Sequence, residues 1–329
     1  MRYVTLPDSK PRLLPFYLTM EEYVARRLPD GTDAFFMWQV DPTVIFGRNQ
    51  VMDNEVNTGY CASRGINVYR RRSGGGCVYA DRDNIMFSYL TSDADAVTTT
   101  FSRYTSMVAG MLRSLGLDAS DTSRNDIMIG GRKVSGNAFY HIPGRSIVHG
   151  TMLFDTDMAN MMAAITPSSV KLDAKGVDSV RSRITVLSEH LPAMDIEQFK
   201  DYARRYLCSG PDIALTPDDV HAIEDESLPY YTREWIDGHR AGRAGKPVRI
   251  DGAGEFRVAV ACDGSGLIER VDLTGDFFMT GDLDAMLLDR LRGVRPEPDA
   301  LREALAGTDP SQTIPGLTAE ALIKLICHP

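Results

Sequence analysis

Short apolar runs of strand-like character come in groups in this chain, and this grouping most constrains its fold. Strand-like runs occupy residues 34–46, 66–90 and 126–155. Apolar residues recur at helical spacing over 14–28, 98–115 and 195–208. A parallel sheet would need a crossover helix between successive strands, and that regular alternation is missing. We therefore predict an α+β fold whose larger domain is a mixed, mostly antiparallel sheet flanked by helices.

The strand groups also predict local pairings. Residues 34–46, AFFMWQVDPTVIF, are typical of a hairpin of two buried strands that turns at Asp41 and Pro42. In the third group, Gly130 and Gly131 separate two strands. Adjacent glycines favour a tight two-residue turn, so the strands on either side of them should pair.

A shift in composition marks the predicted domain boundary. Residues 238–255, GHRAGRAGKPVRIDGAGE, are rich in glycine and arginine, which is typical of a linker. Beyond it, the pattern predicts one hairpin and two amphipathic helices, over 256–273, 282–306 and 318–326. We predict a catalytic domain over residues 1–246 and a small α+β accessory domain over residues 247–329.

Composition excludes several classes of function. The formal net charge of −9 argues against a nucleic acid partner, which favours a basic surface. The five cysteines are widely spaced and lack a C-x-x-C pair, so we expect neither disulfides nor a zinc site, and a reducing cytoplasm fits best. The first residues hold no apolar core typical of a signal peptide, and no run of about 18 apolar residues predicts a membrane helix.

The sharpest motif is RRRSGGGCVYAD, from Arg70 to Asp81. Consecutive glycines allow close approach of the backbone to a ligand and direct several N–H groups at it. Adjacent arginines can pair with a carboxylate or a phosphate. The motif therefore indicates an anion site, although a glycine-rich hairpin with a solvated basic flank is the alternative. It is neither a Walker A loop nor a dinucleotide fingerprint.

The second motif is RNDIMIGGRKVSGNAFY, from Arg124 to Tyr140. Its predicted hairpin would hold Lys133 near Asn125 and Asp126. A carboxylate beside Mg²⁺, an amide for hydrogen bonding and an ammonium for phosphate oxygens form a plausible nucleotide site. Taken alone, the segment fits an ordinary hairpin with exposed polar residues better.

Two further segments are less specific. His149, Gly150 and Thr151 interrupt an apolar strand, where a histidine is more often a hydrogen-bonded core residue than a catalyst. The segment KLDAKGVDSVRSRITVLSE, from Lys171 to Glu189, is too polar for a core and fits a basic loop that closes over an anionic intermediate. A solvated surface loop without a ligand is the alternative.

In this order and spacing the four motifs resemble those of the lipoate–protein ligases, a family related to the biotin–protein ligases and the lipoyl and octanoyl transferases. The glycine-rich motif resembles the family pattern R-R-x-S-G-G-G-x-V-[FY]-x-D, and IFGRNQ at Ile45 to Gln50 resembles another. The resemblance covers residues 14–206 and continues more loosely to Gly275-Asp276-Phe277-Phe278. Ala80 and Val148 depart from the residues that the family commonly has there.

The resemblance implies an enzyme that activates lipoate with ATP and Mg²⁺ as lipoyl-AMP and transfers the lipoyl group to a specific lysine. Lys133 would be catalytic, and Asp126 would help to place Mg²⁺. The residues implied to bind lipoate or ATP are Arg71, Ser73, Gly74, Gly75, Gly76, Cys77, Val78, Tyr79, Asn125, Asp126, Lys133, Ser135, Gly136, His149, Gly150 and Thr151. Those of the loop that covers the adenylate would be Lys171, Lys175, Gly176, Ser179 and Arg183.

The implied acceptors are apo lipoyl-domain proteins, namely acyltransferase subunits of 2-oxoacid dehydrogenases and the glycine cleavage H protein, and we expect a monomer. The main alternative is an octanoyl or lipoyl transferase of the same superfamily, which uses no ATP. Cysteine-dependent transferases tend to place Cys before the lysine hairpin, where this chain has Asn125 and Asp126. A catalytically silent acyl-binding protein is a second alternative, and the presence of Lys133 argues against it.

Overall fold

The predicted α+β class is confirmed by a computed structural model of the chain, which describes residues 1–91, 97–121, 125–165, 182–238 and 246–328. The strands are β1 (Arg2–Thr5), β2 (Ala34–Trp38), β3 (Thr43–Phe46), β4 (Asn67–Arg70), β5 (Val78–Ala80), β6 (Asn84–Thr91), β7 (Ala119–Asp121), β8 (Asp126–Ile129), β9 (Arg132–Ile142), β10 (Arg145–Leu153), β11 (Ile213–Ala214), β12 (Val248–Ile250), β13 (Gly254–Cys262) and β14 (Ile268–Phe277).

Helices flank these strands in both parts of the chain. The α-helices are α1 (Leu14–Arg27), α2 (Met52–Glu55), α3 (Thr58–Arg64), α4 (Val97–Ser114), α5 (Met158–Ala164), α6 (Ile196–Leu207), α7 (Pro217–Glu226), α8 (Arg233–Asp237), α9 (Leu283–Met286), α10 (Pro298–Ala304) and α11 (Ala319–Cys327). Short 3₁₀ turns lie at Leu187–Glu189, Leu228–Tyr231, Leu288–Leu291 and Pro310–Gln312. Within the described ranges, no helix is both long and apolar enough to cross a membrane.

The large sheet is mixed, as predicted, and has the strand order β11-β1-β2-β6-β10-β9-β8-β7. Its only parallel pairs among the described strands join β1 to β2 and to β11. Helix α1 packs into the apolar core on one face, and helices α4 and α6 pack into the core on the other. The central strands are therefore covered on both sides, which explains why β6 is buried along its whole length.

Helix α1 confirms the prediction for residues 14–28, but it is more deeply buried than an amphipathic surface helix. Pro15 lies in the first turn, where its missing N–H costs nothing. The exposed fractions of Glu21 and Glu22 are only 0% and 5%. Because a buried carboxylate needs hydrogen-bond donors or a positive partner, these two glutamates point to a polar network inside the domain.

The predicted hairpin over residues 34–46 is wrong. Both strands form, but β2 pairs with β1 and β6 in the large sheet, whereas β3 pairs with β4 and β5 in a separate three-stranded sheet. The turn at Asp41 and Pro42 therefore carries the chain from one sheet to the other. Both strands are largely buried, so the sequence pattern showed two buried strands without showing their partners.

The second hairpin forms as predicted. Strands β8 and β9 pair across Gly130 and Gly131, whose φ angles of 54° and 77° suit a two-residue hairpin turn. Strand β9 then pairs with β10, and this register places Gly136 opposite Thr151 and Ala138 opposite His149. The motifs that lie apart in the sequence thereby meet on adjacent strands.

The C-terminal region contains the predicted hairpin as β13 and β14, which form a three-stranded sheet with β12. The helix predicted over 282–306 is wrong, because the segment is broken into α9, a 3₁₀ turn and α10. Pro296 lies between the last two pieces and Pro298 begins α10, and proline removes a helical N–H and clashes with the preceding turn. Helix α11 confirms the second predicted helix.

Candidate active site

The glycine-rich loop that follows β4 is organised by the arginine at its start. Arg71 is buried, and its guanidinium donates to the carbonyls of Ile45, Gly74 and Gly76 and to the hydroxyl of Ser73, at 2.6–3.1 Å. Burial lowers the pKa of Arg71 to about 10. The predicted ligand-binding arginine thus shapes the loop in this structure, and its role toward a substrate stays a prediction.

The neighbouring arginines also make internal contacts. Buried Arg70 donates to the carbonyls of Arg48 and Gln50, both at 2.6 Å, and to that of Trp235 at 2.9 Å. Arg72 donates to the carboxylate of Glu22 at 2.5 and 2.7 Å. The run of arginines therefore ties the loop to its surroundings, rather than presenting three free guanidinium groups to an anion.

A buried polar network lies beneath this loop. The Ser73 hydroxyl is 2.7 Å from Nε2 of His149, and Nδ1 of His149 is 2.9 Å from the carboxylate of Glu21. Ser88 donates to the same carboxylate at 2.6 Å and accepts from the indole N–H of Trp38 at 2.8 Å. The network joins the loop to α1, β2, β6 and β10, so His149 is held from both ring nitrogens.

Sequence reasoning predicted Ser73 and His149 but missed Glu21, Ser88 and Trp38. A signal for Glu21 was present, since it interrupts the apolar run of α1 on its buried face. Nothing in the sequence distinguishes Ser88 or Trp38 from ordinary residues of a buried strand.

Lys133 and Asp126 meet across the β8–β9 hairpin, as the hairpin prediction required. Their Nζ and Oδ1 atoms are 2.7 Å apart, and their side chains are 34% and 31% exposed. The lysine lies over Gly136, because a Cβ added to that glycine would be 2.6 Å from Nζ. An ammonium with a fixed position and partial exposure can receive an incoming anion.

Asn125 pairs with Asn137 rather than with Lys133. The Asn125 side chain donates to the Asn137 carbonyl at 3.0 Å, and the Asn137 side chain donates back to the Asn125 carbonyl at 2.9 Å. Gly150 makes room for this pair, because a Cβ there would overlap the Asn137 carboxamide. Asn137 is thus a site residue that the prediction missed, although it lies inside the second motif.

Strand β10 connects the His149 network with the Lys133–Asp126 pair in one site. His149 and Thr151 lie on the same face of the strand, and Thr151 exchanges hydrogen bonds of 3.3–3.4 Å with the backbone of Gly136. Two residues along a strand span roughly 7 Å. The lysine and the buried histidine network therefore line neighbouring parts of one surface.

The remaining predicted residues divide into three groups. Cys77 and Val78 are half-buried and Tyr79 is buried at the start of β5, and the side chain of Ser135 bonds to Asn137. Arg183 is exposed, and its carbonyl accepts from the Lys133 N–H at 2.7 Å. Four predicted loop residues lie outside the described residues: Lys171, Lys175, Gly176 and Ser179.

No cluster of three or more His, Cys, Asp or Glu side chains arranged to hold a metal occurs in the described part of the chain. Asp126 is the acidic residue of the predicted site, and it is accessible. A single carboxylate fits Mg²⁺ that keeps several waters and shares phosphate oxygens with a nucleotide. The residues present therefore suit a magnesium ion that arrives with its substrate.

Two family profiles match this chain. The profile described as "Lipoyl protein ligase A/B catalytic domain" matches residues 15–207, and the one described as "Bacterial lipoate protein ligase C-terminus" matches residues 246–326. The lipoate-protein ligase LplJ of Bacillus subtilis is 31% identical over 94% of this chain and 95% of its own length.

Solved structures give the same result. A bipartite lipoate protein ligase of Thermoplasma acidophilum, described with its E2 lipoyl domain, matches 72% of this chain and 97% of its own with a TM-score of 0.64 and 27% identity. A lipoate-protein ligase A bound with ATP matches 72% of this chain and 98% of its own with a TM-score of 0.61 and 26% identity. With its fold, its motifs and its relatives in agreement, this chain belongs to the lipoate–protein ligases, the enzymes that join lipoate to protein.

Proposed function

We propose that this ligase activates lipoate with ATP to form lipoyl-AMP and then transfers the lipoyl group to one lysine of an apo lipoyl-domain protein. A carboxylate is a poor electrophile, and adenylation converts it into a mixed anhydride with a good leaving group. The ATP-bound ligase with 26% identity supports the use of ATP.

The observation that carries the proposal is the placement of Lys133. Its ammonium lies over Gly136 and beside Asp126, and both β-hairpins that meet there fix its position. Two anions, the lipoate carboxylate and the α-phosphate, must approach each other during activation. Lys133 would neutralise the charge that develops between them, and such preorganised electrostatic stabilisation is usually the largest single contribution to catalysis.

Asp126 and Asn125 would serve the nucleotide side of the reaction. The Asp126 carboxylate would hold Mg²⁺, whose charge offsets that of the phosphates when it is bound. The Asn125–Asn137 pair holds the backbone immediately before Asp126, so it would keep that carboxylate beside Lys133.

The lipoyl chain would extend from Lys133 along β10 toward His149. This face of the sheet continues into the apolar core packed against α1, which includes Ile147, Tyr140 and Trp38. Since the His149 network binds its own polar groups internally, it presents a closed wall to an apolar tail. The dithiolane ring would lie at that end of the site.

The predicted covering loop is anchored at the catalytic lysine. The Lys133 N–H donates to the Arg183 carbonyl at 2.7 Å, and the Thr185 N–H donates to the Lys133 carbonyl at 2.9 Å. We propose that the segment containing Lys171, Lys175, Gly176, Ser179 and Arg183 closes over the adenylate and excludes water. Its attachment beside Lys133 supports this placement.

The acceptors proposed for the second step are lipoyl domains of 2-oxoacid dehydrogenase acyltransferase subunits and the glycine cleavage H protein. The Thermoplasma acidophilum ligase was described with its E2 lipoyl domain, which supports this class of acceptor. We propose that the enzyme acts on them as a monomer.

The test combines pyrophosphate release with mass analysis of a purified lipoyl domain. Lipoate and ATP should release pyrophosphate before acceptor is added, and the acceptor should then gain one lipoyl group. Transfer of an octanoyl group from a carrier protein without ATP, or a lipoyl thioester trapped on the enzyme, would support the transferase alternative and contradict this proposal.

A further inference from the structure

We propose that Asp276 and Phe278 of the C-terminal region are positioning residues of the active site. Gly74, Gly75 and Gly76 would form the surface of the glycine-rich loop against which they pack. The glycine-rich loop would then be shaped by the accessory domain as well as by its own sequence. The connection to adenylate formation rests on the proposed function.

Each of the three glycines faces the end of β14. The Gly75 N–H donates to the Phe277 carbonyl at 2.9 Å, and a Cβ added to Gly74 would overlap that carbonyl oxygen. A Cβ on Gly75 would be 2.8 Å from the Phe278 ring, and one on Gly76 would be 2.9 Å from the Asp276 carboxylate. All three positions therefore exclude a side chain because β14 is docked there.

Charge supports a specific role for Asp276. Arg71 is buried, and its guanidinium donates to a hydroxyl and three carbonyls, which carry no full negative charge. Burial lowers the pKa of Arg71, while the neighbouring Cys77 and Asp276 side chains act to raise it. Docking thus brings a carboxylate toward the buried guanidinium that holds the loop together.

Phe278 contacts the large sheet of the N-terminal region. Its ring stacks on Phe139 of β9 at 5.3 Å between centroids with an interplanar angle of 20°. Phe139 lies two residues after Asn137, in a part of β9 beyond its pairing with β8. A second contact joins β14 to the loop after β3, because the Gly275 N–H donates to the Asn49 carbonyl at 2.8 Å. The accessory domain consequently contacts the glycine-rich loop, the loop after β3 and strand β9.

Gly76 offers the sharpest test, because its φ is not positive and the three atoms nearest to its added Cβ all belong to Asp276. A double-mutant cycle would compare the wild type with Gly76→Ala, Asp276→Ala and the double variant. Hydrogen exchange of the peptide over residues 73–79 reports docking, since it contains the Gly75 N–H. Pyrophosphate release with lipoate and ATP reports the reaction.

We expect Gly76→Ala to speed exchange of the 73–79 peptide and slow pyrophosphate release by roughly tenfold, within the range for contacting residues. The double variant should be no worse than Asp276→Ala, because the alanine methyl then meets no carboxylate. If the effects of Gly76→Ala and Asp276→Ala on the two rates simply multiply in the double variant, Gly76 is not needed to accommodate Asp276 and the proposal is overturned. If the wild type releases no pyrophosphate, the proposed function fails. The double-mutant cycle measured by hydrogen exchange would still show whether Asp276 packs against Gly76.

A second pair of variants tests Phe278. Phe278→Ala should lower kcat for adenylate formation by roughly tenfold and speed exchange of the same peptide, while Phe278→Leu should restore most of both. Val248→Ala, at an exposed strand position of the same region, is the control and should match the wild type. Normal exchange and normal kcat in Phe278→Ala would remove Phe278 from the site.

Discussion

Gly136→Ala should move Lys133, the proposed catalytic lysine, without removing it. A Cβ at this position would lie 2.6 Å from Nζ and 2.7 Å from Cε of Lys133, closer than any ordinary van der Waals contact. The ammonium is the far end of a long side chain and is about one-third exposed, so we expect it to shift rather than the β9–β10 backbone. The 2.7 Å contact between Lys133 and Asp126 would then be lost.

The two expected magnitudes differ widely. A partly exposed ion pair contributes about 0–1 kcal/mol to stability, so the free energy of unfolding should fall by no more than that. Misplacing a catalytic group by about 1 Å can cost roughly 10²-fold in rate. We therefore expect a loss of that order in lipoate-dependent pyrophosphate release with a nearly unchanged melting temperature.

Gly59→Ala is the matched control for this glycine substitution. Gly59 is exposed in α3, and the only atom near an added Cβ is 3.8 Å away. It should leave both activity and stability close to those of the wild type. Near-normal pyrophosphate release by Gly136→Ala would show that the position of the ammonium does not matter and would refute the reasoning.

Three other substitutions test separate parts of the account. Cys77→Ser should keep adenylate formation within a few fold of the wild type, measured by pyrophosphate release, because no step uses a thiolate; loss of activity with a trapped thioester would contradict this. Asn137→Ala should reduce the rate of adenylate formation about tenfold, since a buried carboxamide that holds Asn125 is lost, and unchanged kinetics would make the pair purely structural. Glu21→Ala should lower the free energy of unfolding by about 3 kcal/mol in denaturant titration, because buried His149 loses its partner, and Glu21→Gln should recover much of it.

Much of the fold was predictable because the strands and helices are strongly patterned. The β8–β9 hairpin followed from Gly130 and Gly131, whose turn leaves few alternatives. The partner of β2 was not predictable, since two buried strands on either side of Asp41 and Pro42 fit both a hairpin and a crossing between sheets. Strand pairing is a long-range property that a local pattern does not contain.

The site was predictable in its residues more than in its contacts. Lys133 and Asp126 lie on the two strands of one short hairpin, so spacing along the chain was enough to bring them near each other. The register pairs Asp126 with Gly136, and the lysine side chain reaches the carboxylate over that glycine. Arg71 was predicted from its charge to hold a ligand, whereas the structure uses its donors on the loop's own carbonyls. That difference depends on the fold of residues 71–76, which sequence spacing does not determine.

The accessory region shows the same limit. The run of glycines at Gly74–Gly76 indicated close approach of some group, and a substrate was the natural expectation. The structure places Asp276 and Phe278 of β14 and the residue after it against that loop. More than 190 residues separate the two segments in the chain, so only the fold reveals their contact.

The most direct test of the central claim is lipoate-dependent pyrophosphate release by Lys133→Ala and Lys133→Arg, measured beside thermal unfolding. Removing a preorganised charge-stabilising donor costs roughly 10²–10³ in rate, so the alanine variant should lose at least that much and keep its melting temperature. The arginine variant should also fail, because a planar guanidinium does not replace a compact ammonium between two anions. Near-normal turnover by the alanine variant, with the fold intact, would contradict the account.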